Sequence, residues 1–244
     1  MIFVIGDIHG EETKLKLLLK NILAIDKNPT LIFIGDYINK GENSYTTLKY
    51  LSQLSSEYKC TFLRGNHEYF WEKMNTNTDE YAGQLLKYGG MNTVQSIDKK
   101  ASLMETKSIL FKEFGSFFSS LKNYHSMDKY IVTHSGIPPE LYETTIDNIP
   151  AEKLIFNRYD FIKTEKRYFN KIIIFGHTGF YSPFYDGYKI GIDTAACYLK
   201  EQPLTAFCTD EDFFIDSHNK TIQLSAINQD VCPAIPRVKA WQQL

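Results

Sequence analysis

The chain has 244 residues, which is the length of one domain, or of one domain with a small insertion. Hydrophobic residues make up 43% and charged residues 23%, and this globular composition excludes disordered and fibrous chains. Lys and Arg number 27 against 29 Asp and Glu, giving a net charge of −2. That balance argues against a nucleic-acid partner, because contacts to a nucleic-acid backbone need a basic excess.

Two further features suggest where the protein works. No apolar run reaches the roughly 20 residues of a membrane helix, and the start, MIFVIGDIHG, lacks the basic segment of a signal peptide. We therefore expect a cytoplasmic protein with no membrane partner. The four cysteines are widely spaced, so free buried thiols are the simplest expectation, although a disulfide between two of them stays open. They are Cys60, Cys197, Cys208 and Cys232.

Short apolar runs rich in Ile, Val and Phe recur along the chain, and the first five each lead into a Gly-containing polar turn. They occupy residues 2–5, 31–34, 60–63, 130–133 and 172–175. Unbroken apolar runs are typical of strands buried on both faces. Leucines at helical spacing predict helices at 11–25 and 46–56. Alternating strands and helices indicate an α/β fold, with further strands at 189–194, 204–210, 213–216 and 221–224.

The segment 68–128 breaks this alternation. It is rich in Lys, Tyr, Phe and Asn and has helical patches such as 109–122, which predicts a helical insertion over one edge of the sheet. Such an insertion can serve packing, or act as a lid or substrate wall, and we expect both. We assign residues 1–224 to a single domain and residues 225–244 to a C-terminal tail of little pattern.

Polar side chains cluster in the turns that follow the first five strands. In open α/β sheets ligands bind outside the carboxyl ends of the strands, so these turns should meet at one rim. Any one of these residues alone would be an ordinary turn residue, but five such turns together are hard to assign to packing. The candidates are Asp7, His9, Asp36, Asn66, His67, His134 and His177.

The kinds of side chain in this cluster point to metal ions. Buried carboxylates need partners, and a metal ion is the strongest partner available. Mixed oxygen and nitrogen ligands without thiolate suit Mn²⁺, Fe or Zn²⁺. Two sets of ligands around one shared carboxylate would hold two ions about 3.5–4 Å apart. Such a pair clamps phosphate oxygens and lowers the pKa of bound water towards roughly 7.

The ordered motifs GDIHG, GDYINKG, RGNHE, HSG and GHT resemble those of the phosphoprotein phosphatase family of calcineurin-like metallophosphoesterases. That family includes bacterial and phage Ser/Thr phosphatases and symmetrical diadenosine tetraphosphate hydrolases. The resemblance runs from residue 1 to about residue 224 and is weak across 68–128. It implies a sandwich of two mixed β-sheets flanked by helices, with the metal ions at one rim.

The resemblance also implies roles for the matching residues. The metal ligands would be Asp7 and His9 for one ion, Asp36 as the bridge, and Asn66, His134 and His177 for the other ion. His67 would protonate the leaving oxygen, or would alternatively orient a neighbouring side chain. The implied reaction is direct attack of a metal-bridged hydroxide on phosphorus. Manganese is the expected metal, with iron or zinc as alternatives.

Two positions depart from the family pattern. The second motif usually ends Asp-Arg-Gly, but here it ends Asn39-Lys40-Gly41. Lys40 would still neutralise phosphate, with less geometric control than the planar fork of arginine, unless it is simply a solvated surface lysine. The neutral amide of Asn39 cannot raise the pKa of the catalytic imidazole as a carboxylate does. This change favours the tetraphosphate hydrolases slightly, because they also lack that carboxylate.

Three further residues are expected around the metal ions. Arg158 lies in a segment resembling the family's Leu-x-Trp-x-Arg, with Phe156 in the Trp position, and is the expected main phosphate-binding arginine. Arg64 is the second candidate, unless it only braces its loop. Asp193, in an Ile-Asp-Thr-Ala segment similar to the family's Ile-Asp-Thr-Gly, is expected to support a metal-ligating histidine.

These expectations favour a metal-dependent phosphoesterase. The first substrate hypothesis is a phosphorylated protein or peptide bearing phospho-Ser or phospho-Thr, with phospho-Tyr as a further option. The second is a dinucleoside polyphosphate such as diadenosine tetraphosphate. A third reading, allowed by Asn39 and Lys40, is a phosphate-binding scaffold that keeps the metal site without activity.

Overall fold

The computed structural model describes residues 1–227, apart from the side chain of Tyr159. Its strands, in chain order, are β1 (Ile2–Ile5), β2 (Thr30–Phe33), β3 (Lys59–Phe62), β4 (Tyr124–Ser126), β5 (Tyr130–Thr133), β6 (Ile172–Phe175), β7 (Phe184–Tyr185), β8 (Lys189–Gly191), β9 (Thr205–Cys208), β10 (Phe213–Asp216) and β11 (Thr221–Gln223). The strands predicted from apolar runs are confirmed, with ends that shift by a few residues. The short strands β4 and β7 were not predicted, because two or three residues carry too little pattern.

The strands form two mixed sheets, as the resemblance implied. The first has the order β11-β10-β9-β1-β2-β3, and the second has the order β4-β5-β6-β8-β7. Strands β1, β2 and β3 run parallel, and so do β5, β6 and β8. In the first sheet the parallel strands form one half, with β3 at the edge, and the antiparallel strands β9, β10 and β11 form the other half. In the second sheet the parallel strands are central, and β4 and β7 are antiparallel edge strands. In each sheet the parallel strands direct their carboxyl ends to one rim.

The helices cover the outer faces of the two sheets. In chain order they are α1 (Glu12–Ile25), α2 (Ser44–Glu57), α3 (Asn66–Lys73), α4 (Glu80–Lys87), α5 (Gly90–Ile97), α6 (Leu103–Ser120), α7 (Ala151–Ile155) and α8 (Tyr159–Lys163). The two predicted helices correspond to α1 and α2. In α1 the residues Leu15, Leu18, Leu19 and Ile22 are buried, which is the stripe that helical periodicity predicts.

Alternation along the strands separates the core into layers. Val4 packs between the two sheets with Ile32 and Ile174. Its neighbours Phe3 and Ile5 face the other way, into the core shared with α1 and α2. A third core lies outside the second sheet. Strands buried on both faces need apolar side chains at every position, which explains the unbroken runs in the sequence.

The segment 68–128 is helical for most of its length but ends in a strand. Helices α3 to α6 pack into the same core as the outer face of the first sheet. Strand β4 pairs with β5 at the edge of the second sheet, so this segment also contains a short strand near its C-terminal end. Helices α3 and α4 also supply side chains to a cavity described below.

The remaining expectations concern the cysteines, the tail and membranes. Cys60 and Cys197 are half-buried free thiols and Cys208 is a buried one, whereas Cys232 lies outside the described residues. Residues 228–244 of the predicted tail also lie outside them. Across residues 1–227, no helix is both long and apolar enough to cross a membrane.

Candidate metal centre and active site

The carboxyl ends of five parallel strands bring the predicted site residues together. β1 leads into Asp7 and His9, β2 into Asp36, and β3 into the first turn of α3. β5 and β6 lead into His134 and His177 from the second sheet. Asp36 is the common neighbour, because it belongs to both groups of side chains whose ligand atoms lie within 4.8 Å of one another. One group is His9, Asp36 and His67, and the other is Asp36, His134 and His177.

Asp36 lies at the centre of this cluster and is 1% exposed. Its Oδ2 is 3.4 Å from His9 Nε2 and 3.9 Å from His67 Nε2. Its Oδ1 is 3.4 Å from His134 Nε2 and accepts a hydrogen bond from the backbone N–H of His67 at 3.1 Å. Each carboxylate oxygen therefore faces a different set of imidazoles, as a carboxylate shared between two ions must.

Two of the imidazoles are oriented by backbone carbonyls. His9 Nδ1 is 3.0 Å from the carbonyl of Ile38, and His134 Nδ1 is 3.0 Å from the carbonyl of Ile34. A carbonyl only accepts hydrogen bonds, so in the neutral rings the proton is on Nδ1 and Nε2 carries a lone pair. Carbonyl contacts of this kind commonly orient metal-binding histidines.

The atoms around His134 Nε2 are then all acceptors. Asn66 Oδ1 lies 3.1 Å away and Asp36 Oδ1 lies 3.4 Å away. Three acceptors without a donor between them repel one another, and a cation removes the repulsion. The donor set of imidazole, carboxylate and amide is also the set expected for a transition-metal ion.

Asp7 supports the same interpretation. Its Oδ2 accepts the backbone N–H of His177 at 3.0 Å, whereas its Oδ1 is buried with no hydrogen-bond partner among the described residues. Burial, together with the charges of Asp193 and Asp36, raises the pKa of Asp7 well above its usual value. A buried carboxylate oxygen without a partner fits a metal ion, so the residues present fit two divalent ions.

The histidines are tuned for the neutral, ligating form. Burial, with Lys40 nearby, lowers the pKa of His9 to about 3. Burial, with the charge of Arg158, also lowers the pKa of His177 well below its usual range. Neutral imidazole is the form that binds a metal ion, so these environments favour coordination over protonation.

His67 differs from the other imidazoles because a side-chain amide contacts its Nδ1. Asn39 Oδ1 accepts hydrogen bonds from Trp71 Nε1 at 3.0 Å and from Thr93 Oγ1 at 2.7 Å. The indole only donates, so the amide NH₂ of Asn39 must face His67 Nδ1, at 2.8 Å. In neutral His67 the proton is then on Nε2. An Nε2–H cannot bind a metal ion but can donate a hydrogen bond.

Two glycines allow the backbone to approach the carboxylates closely. A Cβ at Gly65 would overlap Asp36 Oδ1, and a Cβ at Gly176 would overlap Asp7 Oδ1. The turns themselves are strained, because Asp36 (φ 54°) and His177 (φ 64°) adopt the left-handed region that side chains rarely occupy. Strain of this kind in several site residues is typical of functional sites.

Glu68 holds these turns in place and was not singled out in the sequence. Its carboxylate accepts backbone N–H groups from Asp36 at 2.8 Å, Tyr37 at 2.9 Å and Gly65 at 3.1 Å. It is fully buried, and burial with the Asp36 charge raises its pKa to about 8. A glutamate three residues after the N-cap, which here is Gly65, is a helix-capping signal, so the RGNHE motif contained a sequence signal for this role of Glu68.

Removing the Glu68 carboxylate should destabilise the protein strongly. We expect Glu68→Ala to lower the free energy of unfolding by about 3 kcal/mol or more, because three buried donors lose their acceptor. The matched control is Glu72→Ala on the same helix, whose ion pair with Arg64 is partly exposed and should contribute about 1 kcal/mol or less. Urea denaturation measures both variants, and equal losses would contradict the role of Glu68.

A cavity of about 410 Å³ opens beside the metal-binding cluster. Asp36, Asn66, His67 and His177 form its polar end. The remaining lining residues are Lys40, Tyr69, Phe70, Glu80, Tyr81, Gln84, Tyr88, Glu152, Phe156, Arg158 and Tyr198. The described lining thus includes two cationic side chains, Lys40 and Arg158, next to the cluster.

Lys40 and Arg158 reach this cavity in different ways. Lys40 Nζ is 2.8 Å from His9 Nε2 and 4.6 Å from the ring centre of Tyr198, so it is not a solvated surface lysine. Its ammonium donates to the lone pair that would bind an ion. Arg158 follows Phe156 by two residues, and both line the cavity. Tyr198 carries no sequence signal that could have identified it.

Two predicted positions have other partners than expected. Arg64 is not among the described cavity-lining residues, and its guanidinium instead contacts Glu72 at 2.9 Å and Asn123 at 2.6 Å, so the bracing alternative describes it. The Asp193 carboxylate accepts the backbone N–H of Ala195 at 2.9 Å. Within residues 1–227 it makes no hydrogen bond to a site histidine, so the support predicted for a histidine is not observed.

The guanidinium fork of Arg158 should matter beyond its charge. We expect Arg158→Lys to lower kcat/KM for a phosphoester by about tenfold to a hundredfold, because a lysine cannot pair two phosphate oxygens in one plane. Arg167→Lys is the matched control, since Arg167 donates to the carbonyl of Gly187 at an exposed position and is not among the described cavity-lining residues. Steady-state kinetics test both, and an unchanged kcat/KM in Arg158→Lys would exclude this residue from phosphate binding.

Comparison with known families agrees with the geometry. The model of the calcineurin-like phosphoesterase family matches residues 1–212, which is most of the chain, and the chain belongs to this family. The fold is accordingly the α/β calcineurin-like metallophosphoesterase sandwich that the motifs implied.

Among the similar proteins are two bacterial tetraphosphatases and one phosphatase of known structure. The symmetrical bis(5'-nucleosyl)-tetraphosphatase of Glaesserella parasuis is 25% identical over 57% of this chain, and the match spans only 45% of that protein. The asymmetrical bis(5'-nucleosyl)-tetraphosphatase PrpE of Oceanobacillus iheyensis is 26% identical over 87% of this chain and 90% of its own length. The structure of a cold-active protein-tyrosine phosphatase from a psychrophilic Shewanella species has a TM-score of 0.59 and 15% identity, covering 91% of this chain and 80% of that one.

Proposed function

We propose that this chain is a di-metal phosphomonoesterase that acts on phosphorylated proteins or peptides. The observation that carries the proposal is the group around His134 Nε2, where Asp36 Oδ1 and Asn66 Oδ1 lie within 3.4 Å of the ring nitrogen and all three atoms are acceptors. The metal-binding cluster opens onto a cavity lined by Lys40 and Arg158, and cations beside a metal site are what a phosphate group requires.

The chain's own residues divide the work. Asp7, His9 and Asp36 would hold one ion, and Asp36, Asn66, His134 and His177 the other. Two divalent ions bound there, Mn²⁺ in this proposal, would supply a water-derived nucleophile at neutral pH and neutralise phosphate charge. Arg158 and Lys40 bind and orient the phosphoryl oxygens. His67, neutral and with its proton on Nε2, donates a hydrogen bond to the leaving oxygen.

A dinucleoside polyphosphate is the second candidate substrate. The tetraphosphatase names of two similar proteins support it, and so does the neutral Asn39. The cavity lining favours a phosphomonoester substrate, because the cationic side chains Lys40 and Arg158 are accompanied by the carboxylates of Glu80 and Glu152. A chain of several phosphates would meet these carboxylates, and like charges in a confined site are unfavourable.

One comparison of products tests the proposal. With Mn²⁺ present, we expect inorganic phosphate to be released from phosphopeptides faster than ADP or ATP is released from diadenosine tetraphosphate. The reverse order would favour the second candidate. Bound metal with no hydrolysis of any phosphoester, including p-nitrophenyl phosphate, would favour the scaffold reading.

A further inference from the structure

The leaving-group side of the cavity is bounded by aromatic rings. His67 contacts Phe70 and Tyr88, with ring centres 6.0 Å and 6.4 Å apart. If His67 donates to the leaving oxygen, whatever is bonded to that oxygen must lie against these rings. The side chains at this position therefore select the chemistry of the leaving group.

These rings form a continuous surface, which we call the aromatic shelf: Phe70, Tyr88 and Phe156. Phe70 is its buried floor. Tyr88 stacks on Phe70 at 6.2 Å with an interplanar angle of 13°, and Phe156 packs at 5.6 Å with an angle of 35°. Tyr88 is nevertheless 37% exposed and Phe156 is 41% exposed. Large apolar rings exposed inside a concave cavity are typical of ligand-binding surfaces.

Charges of both signs lie near the shelf. Lys87 Nζ is 5.1 Å from the ring centre of Tyr88. Glu152 accepts a hydrogen bond from the hydroxyl of Tyr69, whose ring packs against Phe156 at 5.6 Å, and Glu80 lines the same cavity. A second phosphate attached to the leaving oxygen would meet carboxylates in this cavity as well as that ammonium. A neutral, flat group attached there would instead cover exposed ring surface, because aromatic rings prefer offset-stacked or edge-to-face neighbours.

We propose that the aromatic shelf is a subsite for the leaving group and that the preferred substrates are aryl phosphomonoesters, such as a phosphorylated tyrosine side chain. In an aryl ester the ring is bonded directly to the leaving oxygen, so it lies beside His67 where the shelf begins. Hydrolysis forms one P–O bond from water and breaks the P–O bond to the aryl oxygen. The aryl oxygen takes a proton and leaves as a phenol, with inorganic phosphate as the other product. This inference rests on the proposed phosphomonoesterase function.

The first test compares two peptides that differ only in carrying phosphotyrosine or phosphoserine. Each shelf ring should contribute favourable contact energy to an aryl substrate that it does not contribute to an alkyl one. Tyr88→Leu and Phe156→Leu should therefore each lower the phosphotyrosine-to-phosphoserine ratio of kcat/KM by about threefold to tenfold. Using the change in this ratio cancels the intrinsic difference between phenol and alcohol leaving groups. Phe169→Leu is the control, because Phe169 is 52% exposed in the turn before β6, outside the described cavity lining. An unchanged ratio in both shelf variants would overturn the inference.

The second test measures binding without chemistry. Titration calorimetry of the Mn²⁺-loaded protein should show phenylphosphonate binding several-fold more tightly than methylphosphonate, with the difference reduced in both shelf variants and kept in Phe169→Leu. Equal affinities in the wild-type protein would reject the shelf as a subsite. Failure of the proposed function looks different: the wild-type protein would hydrolyse none of the phosphomonoesters, while the phosphonate comparison would still accept or reject the shelf.

Discussion

Asp36→Asn should abolish phosphoester hydrolysis and the binding of both metal ions. Each Asp36 oxygen faces a different group of imidazoles, so one substitution weakens both candidate sites. We expect turnover to fall by more than about 10³-fold, since losing a single hydrogen-bond donor from a transition state already costs about 10²–10³. Metal analysis of the purified protein and steady-state kinetics measure the two effects.

The folded state of this variant provides the internal control. The imidazoles of His134, His67 and His9 and the ammonium of Lys40 lower the pKa of the buried Asp36 carboxyl, so removing its charge should lower the melting temperature of the metal-free protein, and that temperature is the baseline for each variant. Mn²⁺ should raise the melting temperature of the wild-type protein, as ligand binding to the native state does, but not that of Asp36→Asn. Asp128→Asn, an exposed substitution, should behave as wild type. A normal Mn²⁺ response in Asp36→Asn would contradict the bridging role.

His67→Asn should reduce turnover while the metal ions stay bound. Loss of a hydrogen-bond donor to the charge that develops on the leaving oxygen typically lowers the rate by about 10²–10³. The loss should be larger for an alkyl phosphate, whose leaving oxygen needs a proton, than for p-nitrophenyl phosphate, whose leaving group departs without one. The comparison of the two esters therefore separates proton donation from a general loss of structure.

Metal content decides between the two roles open to His67. Its ring is grouped with His9 and Asp36 as possible ligands, but the Asn39 amide places its proton on Nε2. We expect the Mn²⁺-induced rise in melting temperature to persist in His67→Asn, and the control His218→Asn, in the β10–β11 turn, to leave activity unchanged. Disappearance of the Mn²⁺ response would identify His67 as a ligand.

Much of the fold was readable from local pattern. The runs at β1, β2, β3, β5 and β6 and the leucine stripe of α1 are strong periodic signals, because a strand buried on both faces needs apolar side chains throughout. The strand β4 was not predicted from the sequence, because it has only three residues and a short edge strand that pairs with β5 carries no distinct pattern.

At the candidate site, the sequence alone determined which residues meet, because a Gly-flanked polar residue after a buried parallel strand must lie at the carboxyl rim. Only the tertiary structure decided how they are used. Arg64 pairs with Glu72, and Lys40 lies against His9. Trp71 and Thr93 both donate to the amide oxygen of Asn39. The Asn39 NH₂ therefore faces His67 Nδ1, which leaves the proton of the neutral imidazole on Nε2. The tertiary structure also assembles Phe70, Tyr88 and Phe156 from two distant parts of the chain. Side-chain orientation and contacts between distant segments depend on packing in three dimensions, and no local pattern encodes them.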